Sequence, residues 1–126
     1  MKFIHTEKAP RPTGHYSQAV VYGGVVYVAG MLGHDPENPD ADPGGPAEQA
    51  RQALENVAAV LAEAGSGLDH VVRMTIYVSD ADHWRAVNEV YAEIMGDHKP
   101  ARAIVPVNRF RDPYVLEIVA TAALGG

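Results

Sequence analysis

The chain has 126 residues, 47% hydrophobic and 21% charged, with 16 acidic against 10 basic side chains and a formal charge of −6. That length makes one domain over residues 1–126, large enough to bury a core without disulfides or metal. Negative charge with scattered Lys and Arg argues against nucleic acid, whose phosphates need clustered cations, and the absence of cysteine excludes a disulfide framework, a thiol nucleophile and a thiolate metal site.

A cysteine-free chain suits a reducing cytosol. No apolar run reaches the roughly 18 residues of a membrane span, and the start MKFIHTEKAPRPTG lacks the apolar core of a signal peptide. Next comes AVVYGGVVYVAGML, two β-branched runs around Gly23-Gly24, a pair able to take the positive φ angles of a tight hairpin turn. Residues 34–46, HDPENPDADPGGP, are turn formers and acids and form a solvated loop. They lack the oxygen-ligand spacing of a calcium-binding EF-hand. From Ala47, the residues Ala50, Leu54, Val57, Leu61 and Ala64 recur at helical spacing, with Glu48, Arg51, Gln52, Glu55 and Glu63 mostly on the other face; Gly65 supplies the stop. Residues 71–78 alternate as a strand, with Val72, Met74, Ile76 and Val78 on one side and Arg73, Thr75 and Tyr77 on the other.

Ser79 or Asp80 then caps a second helix with Trp84, Val87, Val90, Tyr91 and Ile94 on its buried stripe and Gly96 after it. Strands over residues 101–107 and 114–124 close the chain. Pro106 has no N–H to donate, so its strand belongs at an edge or at a bulge. This order reads as an α+β sandwich, two helices on one face of a mixed sheet. The last strand, VLEIVATAAL, is apolar or small on both sides, which argues for burial of both faces. Two helices cover only one of them. A partner subunit can cover the other, so the expected state is an oligomer packed through the open sheet face.

Two residues stand out against this apolar pattern. Arg102 heads the strand HKPARAIVPV, and Glu117 interrupts the run YVLEIVATAAL. A charge inside an apolar strand costs free energy unless it is paired or hydrogen-bonded. The two therefore form either a structural ion pair between neighbouring strands or a polar site. Arginine's planar fork suits a carboxylate held by two parallel hydrogen bonds. Glu117 suits either a structural partner or a general acid/base in a low-dielectric pocket. Alternation puts Glu117 with Val115, Val119 and Thr121, opposite Leu116, Ile118 and Ala120, without saying which side meets the helices. In GHYSQAV, Tyr16 reads as a turn or core aromatic as readily as a site residue. The six histidines show no HExxH or other close ligand pairing, so no metal is expected. No Walker loop, GxGxxG or GxSxG appears, so no cofactor is expected either. Trp84 and Tyr91, at helical spacing, read as core. His15, beside Tyr16, is the histidine closest to a candidate.

Taken in order, GHYSQAV, VVYVAG, EQARQALENVAAVLAEAG, LDHVVRMTIYVSD, AVNEVYAEIMGDHKPARA and VLEIVATA resemble the reactive intermediate deaminase (Rid, or YjgF-type) family over nearly the whole chain. The resemblance implies a chorismate-mutase-like fold forming a barrel-cored homotrimer with clefts between subunits. It implies that Arg102 grips a substrate carboxylate, that Glu117 positions or activates water, and that Tyr16 lines the cleft. Backbone groups at Gly30 and Ile104 complete the site it implies, with Met31 beside them. The implied substrates are small 2-imino or enamine acids, 2-iminopropanoate and 2-iminobutanoate, hydrolysed to 2-oxo acids and ammonia without a cofactor.

Departures from the family pattern are also visible. His15 replaces a proline, Ala29 a serine and Met31 a glutamine. Ala103 and Ile104 take the usual Ser or Thr and Cys positions, and VNRFRDPY replaces a VARLPKG-type turn. Arg102 and Glu117 favour catalysis, while Ala29, Met31 and Ile104 favour a shifted substrate. The alternatives are a non-catalytic, ligand-binding or chaperone-like homologue and a biosynthetic member acting on a larger imine or enamine.

Overall fold

Gly23 and Gly24 hold φ angles of 59° and 77°, the two positive values that join right-twisted strands in two residues. In the computed structural model, which describes residues 1–125, they link strands β2 (Ala19–Tyr22) and β3 (Val25–Met31), with Tyr22 paired to Val25. One strand was not expected from the sequence. β1 (Lys2–Ile4) pairs antiparallel with β2, and three residues carry too little alternation to be read beforehand.

Helix α1 (Pro46–Glu63) starts with proline at its first position, and the Glu48 carboxylate accepts the Gly45 N–H at 2.9 Å. Gly65, at φ 85°, lies just past its end. Strand β4 (Val71–Val78) runs as the alternation required, with one correction. A register shift against the last strand between Val71 and Arg73 turns Val72 out to 53% exposure, so Val71 takes its place in the core. Asp80 accepts from the Asp82 N–H at 2.8 Å and opens a short 3₁₀ turn, Ala81–His83, which leads into α2 (Trp84–Met95). Val87, Val90, Tyr91 and Met95 are buried on α2, but Trp84 is 47% exposed, a second departure from the expected stripe.

Strand β5 (Ala101–Pro106) lies parallel to β4 at the sheet edge, where the missing N–H of Pro106 breaks no inner ladder. Strand β6 (Leu116–Ala123) enters between β3 and β4, giving the order β1-β2-β3-β6-β4-β5. The architecture is α+β, a six-stranded mixed sheet with both helices on one face.

Burial along β6 settles which face is which. Leu116, Ile118, Ala120 and Ala122 are sealed with the helices, while Glu117, Val119, Thr121 and Ala123 point to the other side and stay half-buried. Burial of both faces of this strand is therefore met within the chain on one side only. On the open face Tyr27, paired with Thr121, is 50% exposed. Among the described residues no helix is long and apolar enough to cross a membrane.

Candidate functional site

Glu117 faces the open side of the sheet, where β3 comes alongside it. The β3–β6 register shifts between Val28 and Met31, and this irregularity brings Gly30 against the glutamate. A Cβ at Gly30 would stand 2.5 Å from both Cδ and Oε1 of Glu117. Only glycine leaves room for the carboxyl group where it lies. Among the described residues, no hydrogen bond or ion pair engages that carboxylate.

The carboxylate borders a cavity of about 670 Å³, whose lining includes Gly30, Met31 and Tyr16. Tyr16 is half exposed, and its hydroxyl accepts a long 3.4 Å hydrogen bond from the Thr13 N–H. His15 is exposed and does not line this cavity.

Three buried amides hold the cavity walls. Gln18 accepts from the Thr6 N–H at 2.7 Å and donates to the Thr6 and Pro10 carbonyls at 3.0 and 2.9 Å, tying down the segment that forms one wall. Gln49, fully buried on α1, accepts from the Val115 N–H at 2.9 Å and donates to the Gly44 and Pro113 carbonyls at 2.8 and 3.1 Å. Asn56, two helical turns further on along the same face, donates to the Leu32 and His34 carbonyls at 3.0 and 2.8 Å. Buried amides must find partners, and here the partners are irregular backbone groups that have no ladder of their own. On this second wall His34 Nδ1 and the Tyr114 hydroxyl lie 2.9 Å apart, their rings edge to face.

Arg102 lies elsewhere. It pairs with Met74, so it shares the helix-facing side of the sheet and points at α2. Its Nη1 donates to Asn88 Oδ1 at 2.7 Å, and its guanidinium sits 4.8 Å from the Tyr91 ring centroid and 5.8 Å from that of Trp84. This explains the exposed Trp84: the stripe of α2 ends on a cation instead of the core. The Tyr91 hydroxyl is buried with no hydrogen-bond partner among the described residues. Burial pushes its pKa up, partly opposed by the nearby Arg102 charge. Ile104, one repeat along β5, pairs with Ile76 on the same side. Neither Arg102 nor Ile104 lines the cavity beside Glu117.

The two charges are not on neighbouring strands, since β4 separates β5 from β6. Arg102 is level with Met74 and Glu117 with Tyr77. That sets them about 10 Å apart along the strands and two strand spacings apart across them, on opposite faces. They do not pair with each other, and no carboxylate among the described residues pairs with Arg102. The structure thus brings together Glu117, Gly30, Met31 and Tyr16, and groups Arg102 and Ile104 separately. Asn88 and the three wall amides were missed in the sequence. The polar pair Gln49 and Asn56, seven residues apart on the buried side of α1, was the available signal.

A family model described as Endoribonuclease L-PSP matches residues 6–124. The chain is 40% identical over 124 residues to a 2-iminobutanoate/2-iminopropanoate deaminase of Rattus norvegicus, covering 98% of this chain and 90% of that protein. The crystal structure of RidA from the Antarctic bacterium Psychrobacter sp. superposes with a TM-score of 0.91 at 36% identity, covering 98% of this chain and 99% of that one. E. coli TdcF with bound serine superposes with a TM-score of 0.92 at 33% identity, covering 99% and 100%.

Proposed function

The chain belongs to the Rid, or YjgF/L-PSP, family, and from that membership together with the geometry of Arg102 and Glu117 we propose that it hydrolyses 2-imino acids to 2-oxo acids and ammonia. The observation that carries the proposal is the state of these two charges. Each is fixed in a strand, and neither has a countercharge among the described residues.

Arg102 anchors the substrate carboxylate. Asn88 and the two aromatic faces fix its fork while occupying only one of its nitrogens with a hydrogen bond, which leaves N–H donors for a bidentate contact. Orienting a small acid in this way can lower a barrier by several kcal/mol. Glu117 takes a proton from water as the water oxygen bonds to the carbon of the protonated imine. The resulting carbinolamine receives that proton on nitrogen and loses ammonia as its hydroxyl proton returns to Glu117, leaving the 2-oxo acid. A protonated imine is electrophilic enough for this without a covalent nucleophile. Gly30 leaves the carboxyl its place, while Tyr16 and Met31 shape the cavity. Ile104 supplies backbone groups beside the anchor.

Arg102 and Glu117 act on one substrate only if they come from two protomers. A ring of identical subunits, each laying its open sheet face against the next, joins the Arg102 side of one to the Glu117 side of its neighbour. A homotrimer working in the cytosol fits this reading, and the exposed Tyr27 on the open face supports it. The name of the rat relative and the serine bound to E. coli TdcF agree with an amino-acid-derived ligand.

The test is direct. The intact protein is given freshly generated 2-iminopropanoate and 2-iminobutanoate while released ammonia is followed. Faster hydrolysis than in buffer is expected, and a rate equal to buffer removes the deaminase reading for these substrates and favours a non-catalytic homologue.

A further inference from the structure

We infer that the cavity beside Glu117 carries a second anion subsite, formed by Arg111 with the Tyr114–His34 pair, and that the preferred substrates are 2-imino acids whose side chain ends in a carboxylate. This rests on the deaminase reading above and names the substrate class that this chain's own residues select.

Size comes first. The cavity measures about 670 Å³, within the range of pockets that enclose ligands far larger than a few-carbon imino acid.

Charge gives the direction. Two cations, Arg11 and Arg111, and two carboxylates, Glu7 and Glu117, line the cavity. Arg11 is already matched, its Nη2 3.2 Å from the Glu7 carboxylate. Arg111 has no carboxylate partner among the described residues. In a chain of net charge −6, an approaching dianion is repelled overall, so an unmatched guanidinium at the cavity is the feature that favours it.

Tyr114 and His34 add a fixed polar group beside it. Their contact at 2.9 Å orients the phenol. With the hydrogen on His34 Nδ1, Tyr114 accepts it, and its own O–H is available to donate to a carboxylate. The backbone beside Tyr114 is pinned by buried Gln49, which accepts the Val115 N–H at 2.9 Å, so the group is preorganised rather than carried on a loose loop. Between the two ends Met31 and Leu32 line the wall, which suits a short aliphatic spacer. Tyr114 and Glu117 are three residues apart, at most about 10 Å of extended chain. An arginine side chain and a short carbon spacer cover that reach together.

The sequence supplies an independent pointer. Met31 and the segment VNRFRDPY are among the places where the chain leaves the family pattern, and Met31, Phe110, Arg111 and Tyr114 all line this one cavity. Departures gathered on the substrate side-chain end of a site, with Arg102 and Glu117 retained, change what is chosen and not what is done to it.

The stable products 2-oxoglutarate and 2-oxobutanoate serve as probes, titrated by calorimetry at low ionic strength. The wild-type protein is expected to bind the dicarboxylate at least about tenfold more tightly, the scale of one charge-assisted contact. Arg111→Met should remove that preference, Arg111→Lys should keep part of it, and Tyr114→Phe should reduce it a few-fold. Equal affinities in the wild type, or a preference that survives Arg111→Met, overturns the subsite. The same proteins are then assayed with the imines of glutamate and 2-aminobutanoate made by an amino-acid oxidase. If both imines are hydrolysed and the ratio of their kcat/KM values ignores Arg111, the subsite fails and the deaminase reading stands. If the binding preference holds but neither imine is hydrolysed faster than in buffer, the subsite stands and the deaminase reading fails.

Discussion

On the helix side of the sheet Arg102 is gripped by neutral groups: an amide oxygen 2.7 Å away and two aromatic faces. On the open side Glu117 is held by almost nothing, its place secured by the Cβ that Gly30 lacks. The contrast is informative because the two charges are held in different ways. A cation fixed by uncharged partners keeps its charge for a guest anion. A carboxylate with space around it is able to exchange protons with water. Neither arrangement stabilises the fold as an ion pair would, and in the proposed reaction each supplies one half of the centre.

Changes that break one half should leave the other and the fold intact. The largest effect is expected from Glu117→Gln, with kcat for 2-iminobutanoate reduced ~10²–10⁴-fold, the usual worth of a positioned acid/base. Thermal melting should show stability within about 0.5 kcal/mol of wild type, as for a side chain that makes no internal bond. Arg102→Ala should lower kcat/KM about a hundredfold, largely through KM. Arg102→Lys should recover little, because a point charge does not reproduce the fork. Gly30→Ala should cost about tenfold to a hundredfold in kcat, since a 1 Å misplacement of a reacting group costs about that much. The atom that must move is the far end of a flexible side chain, so the variant should fold, and a crystal structure should show the Glu117 carboxyl displaced. Asn88→Ala sharpens the contrast most finely. A severalfold rise in KM is expected in the wild-type background and none when Arg102 is already alanine, because Asn88 acts through Arg102.

The strength of the two charges as signals explains why they were legible in the sequence: ionised residues in apolar strands are rare enough to ask for a reason. Helices, hairpin and edge strand were legible from period and punctuation. What alternation cannot supply is which parity faces the helices, so Arg102 and Glu117 could be read as partners when they lie on opposite faces. Alternation also fails at irregularities. The register shift at Val71/Arg73 misassigned Val72, and the one between Val28 and Met31, which shapes the site, left no trace in composition. Trp84 was read as core because helical spacing does not distinguish a hydrophobic contact from a cation platform. Gln18, Gln49 and Asn56 bind backbone far away in sequence, and only the fold reveals such partners.

A site shared between protomers can be tested by mixing two disabled proteins. Arg102→Ala and Glu117→Gln variants, each nearly inactive alone, are combined in equal amounts and allowed to exchange subunits, with mixed oligomers verified by mass. A working site needs the intact Arg102 of one protomer and the intact Glu117 of the next, so random mixing should restore about a quarter of wild-type activity. Mixed oligomers that remain as inactive as their parents would contradict the shared site.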